Sequence, residues 1–160
     1  MVAAVEGDFD ARTESGDIEV TSVKGAARVS TASGYVRCEA LAGTSRVKTA
    51  SGDVSVGIAA APLTVQTASG DVTVHELQSG GQLQTASGDQ RVDRLVAGLA
   101  TLETASGDLT VGIARATVVV VVRRANGQRL VIRAQISGVV FFERVNPLQA
   151  ERAKMENQRR

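Results

Sequence analysis

Tryptophan is absent from this 160-residue sequence, and its whole aromatic complement is three phenylalanines and one tyrosine. With 43% hydrophobic residues but only 2% aromatics, a core has to be filled by Val, Leu, Ile and Ala, which puts its walls close together. Cys38 is the only cysteine, so no intrachain disulfide can form. The formal net charge is +1, which supplies no overall field for gathering polyanions and makes nucleic acid a poor partner. Long hydrophobic runs are missing too. The strongest, residues 117–122, is far shorter than the roughly 20 residues that cross a bilayer. Nothing after Met1 has the basic start and long apolar stretch of a secretory leader. The expected chain is soluble and without membrane insertion, cytoplasmic as written, or of the cell envelope if a leader has been removed.

What the sequence has in abundance is repetition. Thr-Glu-Ser-Gly-Asp starts at Thr13, and Thr-Ala-Ser-Gly starts at Thr31, Thr49, Thr67, Thr85 and Thr104. Four spacings of 18 and a last one of 19 mark a solenoid-type array. After each glycine comes an apolar, x, apolar pair: Ile18/Val20, Val36/Cys38, Val54/Val56, Val72/Val74 and Leu109/Val111. In the fifth copy Gln90 breaks the first column ahead of Val92. A third apolar column reads as Val23, Leu41, Ile58, Leu77, Leu95 and Ile113. A fourth precedes each Thr by two: Ala11, Val29, Val47, Val65, Leu83 and Leu102. Period two on both sides of a glycine turn means two or three short strands per repeat and no helix.

One such coil cannot bury its own apolar face. Stacked coils can, because the columns then fall in register and each backbone bonds the coils above and below. The expected fold is all-β: a single-stranded, right-handed parallel β-helix (β-solenoid) of about 18 residues per coil and seven to eight coils, on the order of 30–40 Å long. It spans residues 1–146, and 147–160 form a charged C-terminal tail or short capping helix. Ser-Gly-Asp is the corner, its glycine at positive φ and its Ser and Asp bonding nearby amides. Residues 1–12 supply a partial first coil. Residues 125–128 and 136–139 read as worn corners, with strands over 118–123, 130–133 and 139–142.

These residues also carry a family resemblance. The tandem Thr-Ala-Ser-Gly-Asp-Val, followed by a late Ile136-Ser137-Gly138-Val139, resembles the bacterial "adhesin" β-solenoid family of unknown function over about residues 5–142. The resemblance implies a right-handed parallel β-helix of short coils, no catalytic residues and a link to the cell envelope.

The most tempting chemistry is the Asp column: Asp17, Asp53, Asp71, Asp89 and Asp108, interrupted by Tyr35. Stacked carboxylates repel and need an offset, either calcium or hydrogen bonds from turn amides. One Asp per coil without a second glycine favours the amides. The repeated Thr and Ser read as a hydroxyl ladder, since only one histidine, His75, is present, and it reads as an exposed position beyond a strand. Cys38 sits in the Val column and reads as a small buried hydrophobe. Outward positions Glu19, Arg37, Ser55, Thr73, Arg91 and Thr110 are mixed, unlike the long acidic groove of a polysaccharide-cleaving β-helix. No catalytic, cofactor or metal residue is therefore assigned. The expected function is a non-enzymatic structural or binding scaffold, adhesin-like or associated with the cell envelope, for a protein or glycan partner. A self-assembling, bactofilin-like element and a polysaccharide-active enzyme are the alternatives. Self-association would use Val118, Val120, Val122, Phe141 and Phe142, although a buried late strand is the favoured reading of that run.

Overall fold

The computed structural model describes residues 2–114, 117–123 and 129–135. Each repeat makes two strands, one on either side of the Ser-Gly-Asp corner. The strand after the corner joins a seven-stranded first sheet: β1 (Val2–Val5), β3 (Ile18–Val23), β5 (Val36–Leu41), β7 (Val54–Ala59), β9 (Val72–Leu77), β11 (Gln90–Leu95) and β13 (Leu109–Ala114). The strand before the corner joins a second sheet: β2 (Phe9–Ser15), β4 (Ala27–Ser33), β6 (Ser45–Ser51), β8 (Leu63–Ser69), β10 (Gly81–Ser87), β12 (Leu99–Ser106), β14 (Thr117–Arg123) and finally β15 (Arg129–Gln135). All neighbours from β1 to β14 are parallel and in register, so that Val47, Val65, Leu83 and Leu102 stand one above the other. The fold is a parallel β-solenoid of about six turns, one or two fewer than the sequence suggested.

The core is a thin aliphatic layer between the sheets. Val36, Val54 and Val72 with Cys38, Val56 and Val74 line it from the first sheet, and Val29, Val47, Val65 and Leu83 from the second. All of these are 2% exposed or less. Burying each such side chain contributes about 1.5–3 kcal/mol. Identical β-branched neighbours at one rung spacing fill this space without rings, which is why the sequence can do without tryptophan.

The third apolar column differs from the sequence reading. Leu41 pairs with Ala59, and Ala59 with Leu77, while Ile58 pairs with Ala40 and is 45% exposed. At the end of the ladder Leu95 likewise pairs with Ala114, not Ile113. After inward Val56 the chain places two successive residues, Gly57 and Ile58, on the outside before turning Ala59 in. The strand bends there, and strict alternation fails for one step.

The longer last repeat is absorbed in a loop. Leu77 pairs with Leu95 and Gly81 with Ala100, so the extra residue falls within 96–98, opposite the corner, and every column stays in register. Gln90 occupies the first apolar column at 1% exposure. Its Nε2 donates to the Glu103 carbonyl across the core at 2.7 Å, while its Oε1 has no partner.

The far end of the array also departs from expectation. The expected corner 125–128 lies outside the described residues, but the strands flanking it are not neighbours in a parallel stack: β15 pairs antiparallel with β14, from Arg123↔Arg129 to Thr117↔Gln135. Five residues separate the two strands, far fewer than a parallel crossover needs. The sequence between them carries Asn-Gly, a dipeptide that favours hairpins. The expected strand 139–142, the late copy 136–139 and the tail 147–160 lie outside the described residues, as do Phe141 and Phe142.

Candidate binding face

The corner residues build structure. Thr31, Thr67, Thr85 and Thr104 point inward, and each hydroxyl donates to the carbonyl of the Ser two residues on, at 2.9–3.1 Å. The same Ser carbonyls accept from the glycine N–H of the rung before, as in Gly16 to Ser33 and Gly70 to Ser87. The expected ladder of hydroxyls bonding one another is therefore replaced by a cap on each bend, because an inward Thr reaches its own coil's carbonyl first. Thr49 is the exception: it is 7% exposed, and its hydroxyl has no partner.

The Asp column is held by amides. Asp17 accepts from the Tyr35 N–H at 2.9 Å, Asp53 from Asp71 at 3.0 Å, Asp71 from Asp89 at 2.8 Å and Asp89 from Asp108 at 2.8 Å. Each carboxylate thus caps the next rung's amide, which offsets the repulsion along the stack. Tyr35 receives this bond but has no carboxylate to pass on to the Asp53 N–H. Tyr35→Asp should restore the chain and raise the melting temperature by about 1–2 °C, a gain of about 0.5 kcal/mol after like-charge repulsion. An unchanged or lower melting temperature in a thermal scan contradicts this account of the column.

On the outside of the first sheet, His75 lies within β9 and not beyond a strand. Its Nδ1 is 2.8 Å from Asp93 Oδ2, while Arg91 Nε donates to Asp93 Oδ1 at 2.6 Å. Partial burial pushes the Asp93 carboxyl up, but the hydrogen bonds and charges of Arg91 and His75 outweigh it and hold the carboxyl below its ordinary range. Arg94 pairs with Glu76 beside them at 3.3 Å. The outward residues Glu19, Arg37, Ser55, Thr73, Arg91 and Thr110 form one register column, as their alternation required.

Cys38 is buried in the Val column, and desolvation pushes its thiol from an ordinary 9.0 up to about 11. The folded state then keeps its proton where the unfolded state loses it. The resulting stabilisation is complete below about pH 9 and falls as the pH rises towards 11. Against a Cys38→Val reference, the wild type should lose up to about 2–3 kcal/mol over that window in urea titrations. Parallel curves for the two proteins would show that the thiol ionises freely in the folded state.

The feature sequence reading missed is the outside of the second sheet. From Thr31 onward the residue after each motif Thr is an exposed alanine, Ala32, Ala50, Ala68, Ala86 and Ala105 in turn, where the first copy has Glu14. The residue before each Thr is long and polar from Lys48 onward, through Gln66 and Gln84 to Glu103. Gln66 Nε2 donates to Gln84 Oε1 at 3.0 Å, and Gln84 Nε2 donates to Glu103 Oε2 at 2.8 Å. Between the tall polar column and the low alanine column runs an open furrow floored by the threonines. Its two stretches share Lys48 and Thr49 and together cross β2 to β12. The signal was in the sequence as the invariable step from a long residue to alanine across each motif Thr from the third copy onward.

Among the described residues no helix is long and apolar enough to cross a membrane. Neither a curated protein nor a solved structure matches the chain significantly. The model of the Toastrack DUF4097 family matches residues 4–111 and again 59–139, which together take in nearly every described rung. By that match and by its stacked β-coils, the chain belongs to the Toastrack family, a β-solenoid family of unknown function.

Proposed function

We propose that this solenoid is a non-enzymatic binding scaffold, adhesin-like or associated with the cell envelope, that engages a protein or glycan through the outer face of its second sheet. The observation that carries the reading is the furrow itself, a regular track crossing six successive rungs. A periodic track suits an extended partner that repeats its contacts from rung to rung. Most of the repeated threonine hydroxyls have a structural duty, capping the bends, and the one histidine is tied to Asp93. That supports binding over turnover.

The test uses fluorescently labelled full chain and isolated bacterial cell envelopes. Ala68→Phe fills the furrow at an exposed position, and retention on the envelopes should drop at least tenfold with the fold intact by circular dichroism. Retention equal to the wild type would rule out this face. A reducing-end assay over a panel of polysaccharides should show no release, and release would favour the enzyme alternative. β15 ends the parallel ladder of the second sheet, which disfavours end-to-end stacking at that rung. Sedimentation should accordingly give monomers or small oligomers, whereas filaments would support the self-assembling alternative.

A further inference from the structure

The net charge of +1 conceals a local concentration. On β4 and β6, Arg28 and Arg46 are register neighbours on the outside of the second sheet, and Lys48 lies one outward position along β6. All three are exposed, and none makes an ion pair among the described residues. Asp10, the register neighbour of Arg28, is instead within 3.6 Å of Arg12. Like charges directly opposite each other on a sheet are destabilising, so this arrangement costs the free protein stability. It is recovered when an anion lies across the pair, which two guanidinium forks can grip bidentately. Lys48 is also where the two stretches of furrow meet.

The rest of the track distinguishes among polyanions. Beyond the cations the outward columns carry the neutral hydroxyls and amides of Thr64, Gln66, Gln82 and Gln84, up to Glu103, whose carboxylate accepts from Gln84. Nucleic acid would want cations along the whole track, together with stacking rings that are missing. An anionic lipid surface would want apolar side chains to insert. A sugar chain wants hydroxyl and amide partners along its length and a cation cluster where it carries acid groups. Resting on the reading of this face as the binding surface, we propose that it binds an acidic polysaccharide, with the carboxylates on Lys48 at the furrow and on Arg28 and Arg46 one outward position beyond the furrow's wall, and the hydroxyls along the Gln66–Gln84 column.

The probe is polygalacturonate, titrated against the full chain by calorimetry at low salt, with dextran as the neutral control. Arg28→Gln/Arg46→Gln removes charge at exposed positions and should leave the melting temperature unchanged or slightly raised, while weakening polygalacturonate at least tenfold. Raising the salt should weaken the wild type much more than the variant. Equal affinity in wild type and variant, or no binding of polygalacturonate, overturns the proposal. So does tighter binding of poly-glutamate, of duplex DNA or of phosphatidylserine vesicles. If Ala68→Phe abolishes envelope retention while the arginine variant retains it, the face still binds but its ligand is not acidic.

Discussion

Gly70→Val is expected to abolish cooperative folding, or to lower stability by about 4 kcal/mol or more, a large share of what a domain of this size has. Two independent effects combine there. Gly70 has φ +129, a backbone conformation essentially closed to residues with a Cβ. A Cβ would in addition be driven into the carbonyl oxygen of Gly52 in the rung before, which is backbone and cannot step aside. Gly16 separates the two effects. It has φ +119, yet a Cβ there has nothing within 4 Å, so Gly16→Val should carry the conformational cost alone, about 1–3 kcal/mol. Asp71→Ala removes one exposed carboxylate–amide bond and should cost about 1 kcal/mol. The order Gly70, Gly16, Asp71 in chemical denaturation is the expected result. Equal losses at the two glycines would mean that the stacking of corners is not what excludes a side chain.

A single alanine inserted after Thr73, inside β9, should be far more damaging than the same alanine inserted after Ser79. Within the strand one extra residue reverses inside and outside for everything on one side of it. Either Val72 or both Val74 and Leu77, all fully buried, must leave their columns, at about 1.5–3 kcal/mol for each. In the loop the chain already demonstrates the remedy, since the coil carrying β11 and β12 holds an extra residue in 96–98 without disturbing its neighbours. The loop insertion should therefore cost less than about 1 kcal/mol, and the strand insertion about 3 kcal/mol or more. Urea unfolding of the two proteins decides the matter, and similar midpoints would contradict register-locked columns.

What was legible in the sequence was whatever the 18-residue period multiplies. A lone Val says little, but Val47, Val65 and Leu83 at fixed spacing fix a column, and the glycine between columns fixes a corner. What was illegible was local or single. The bend that sends Ile58 out and Ala59 in occurs within one step of a strand, and hydrophobicity alone prefers the larger residue for the inside. The inward turn of the threonines was hidden because a hydroxyl reads as surface until its carbonyl partner is seen. The antiparallel return of β15 is a single event at the end of the array, where the 18-residue period favours one more parallel coil. The candidate face was partly visible: its alanines sit inside the repeated motif, but a small exposed residue attracts attention only when long neighbours rise beside it in the next column. Arg28 and Arg46 were diluted in the net charge, and only the register brings them together.

The in-register stacking on which all of this depends can be tested with cysteine pairs in a Cys38→Val background. Ala50 and Ala68 occupy the same exposed column on adjacent strands β6 and β8, at a Cα separation suited to a disulfide. Ala50→Cys with Ala68→Cys should close a disulfide on mild oxidation, read as complete loss of free thiol, while Ala50→Cys with Gln66→Cys should stay reduced. Closure of the second pair as readily as the first would mean that the coils do not lie one above another in the register described.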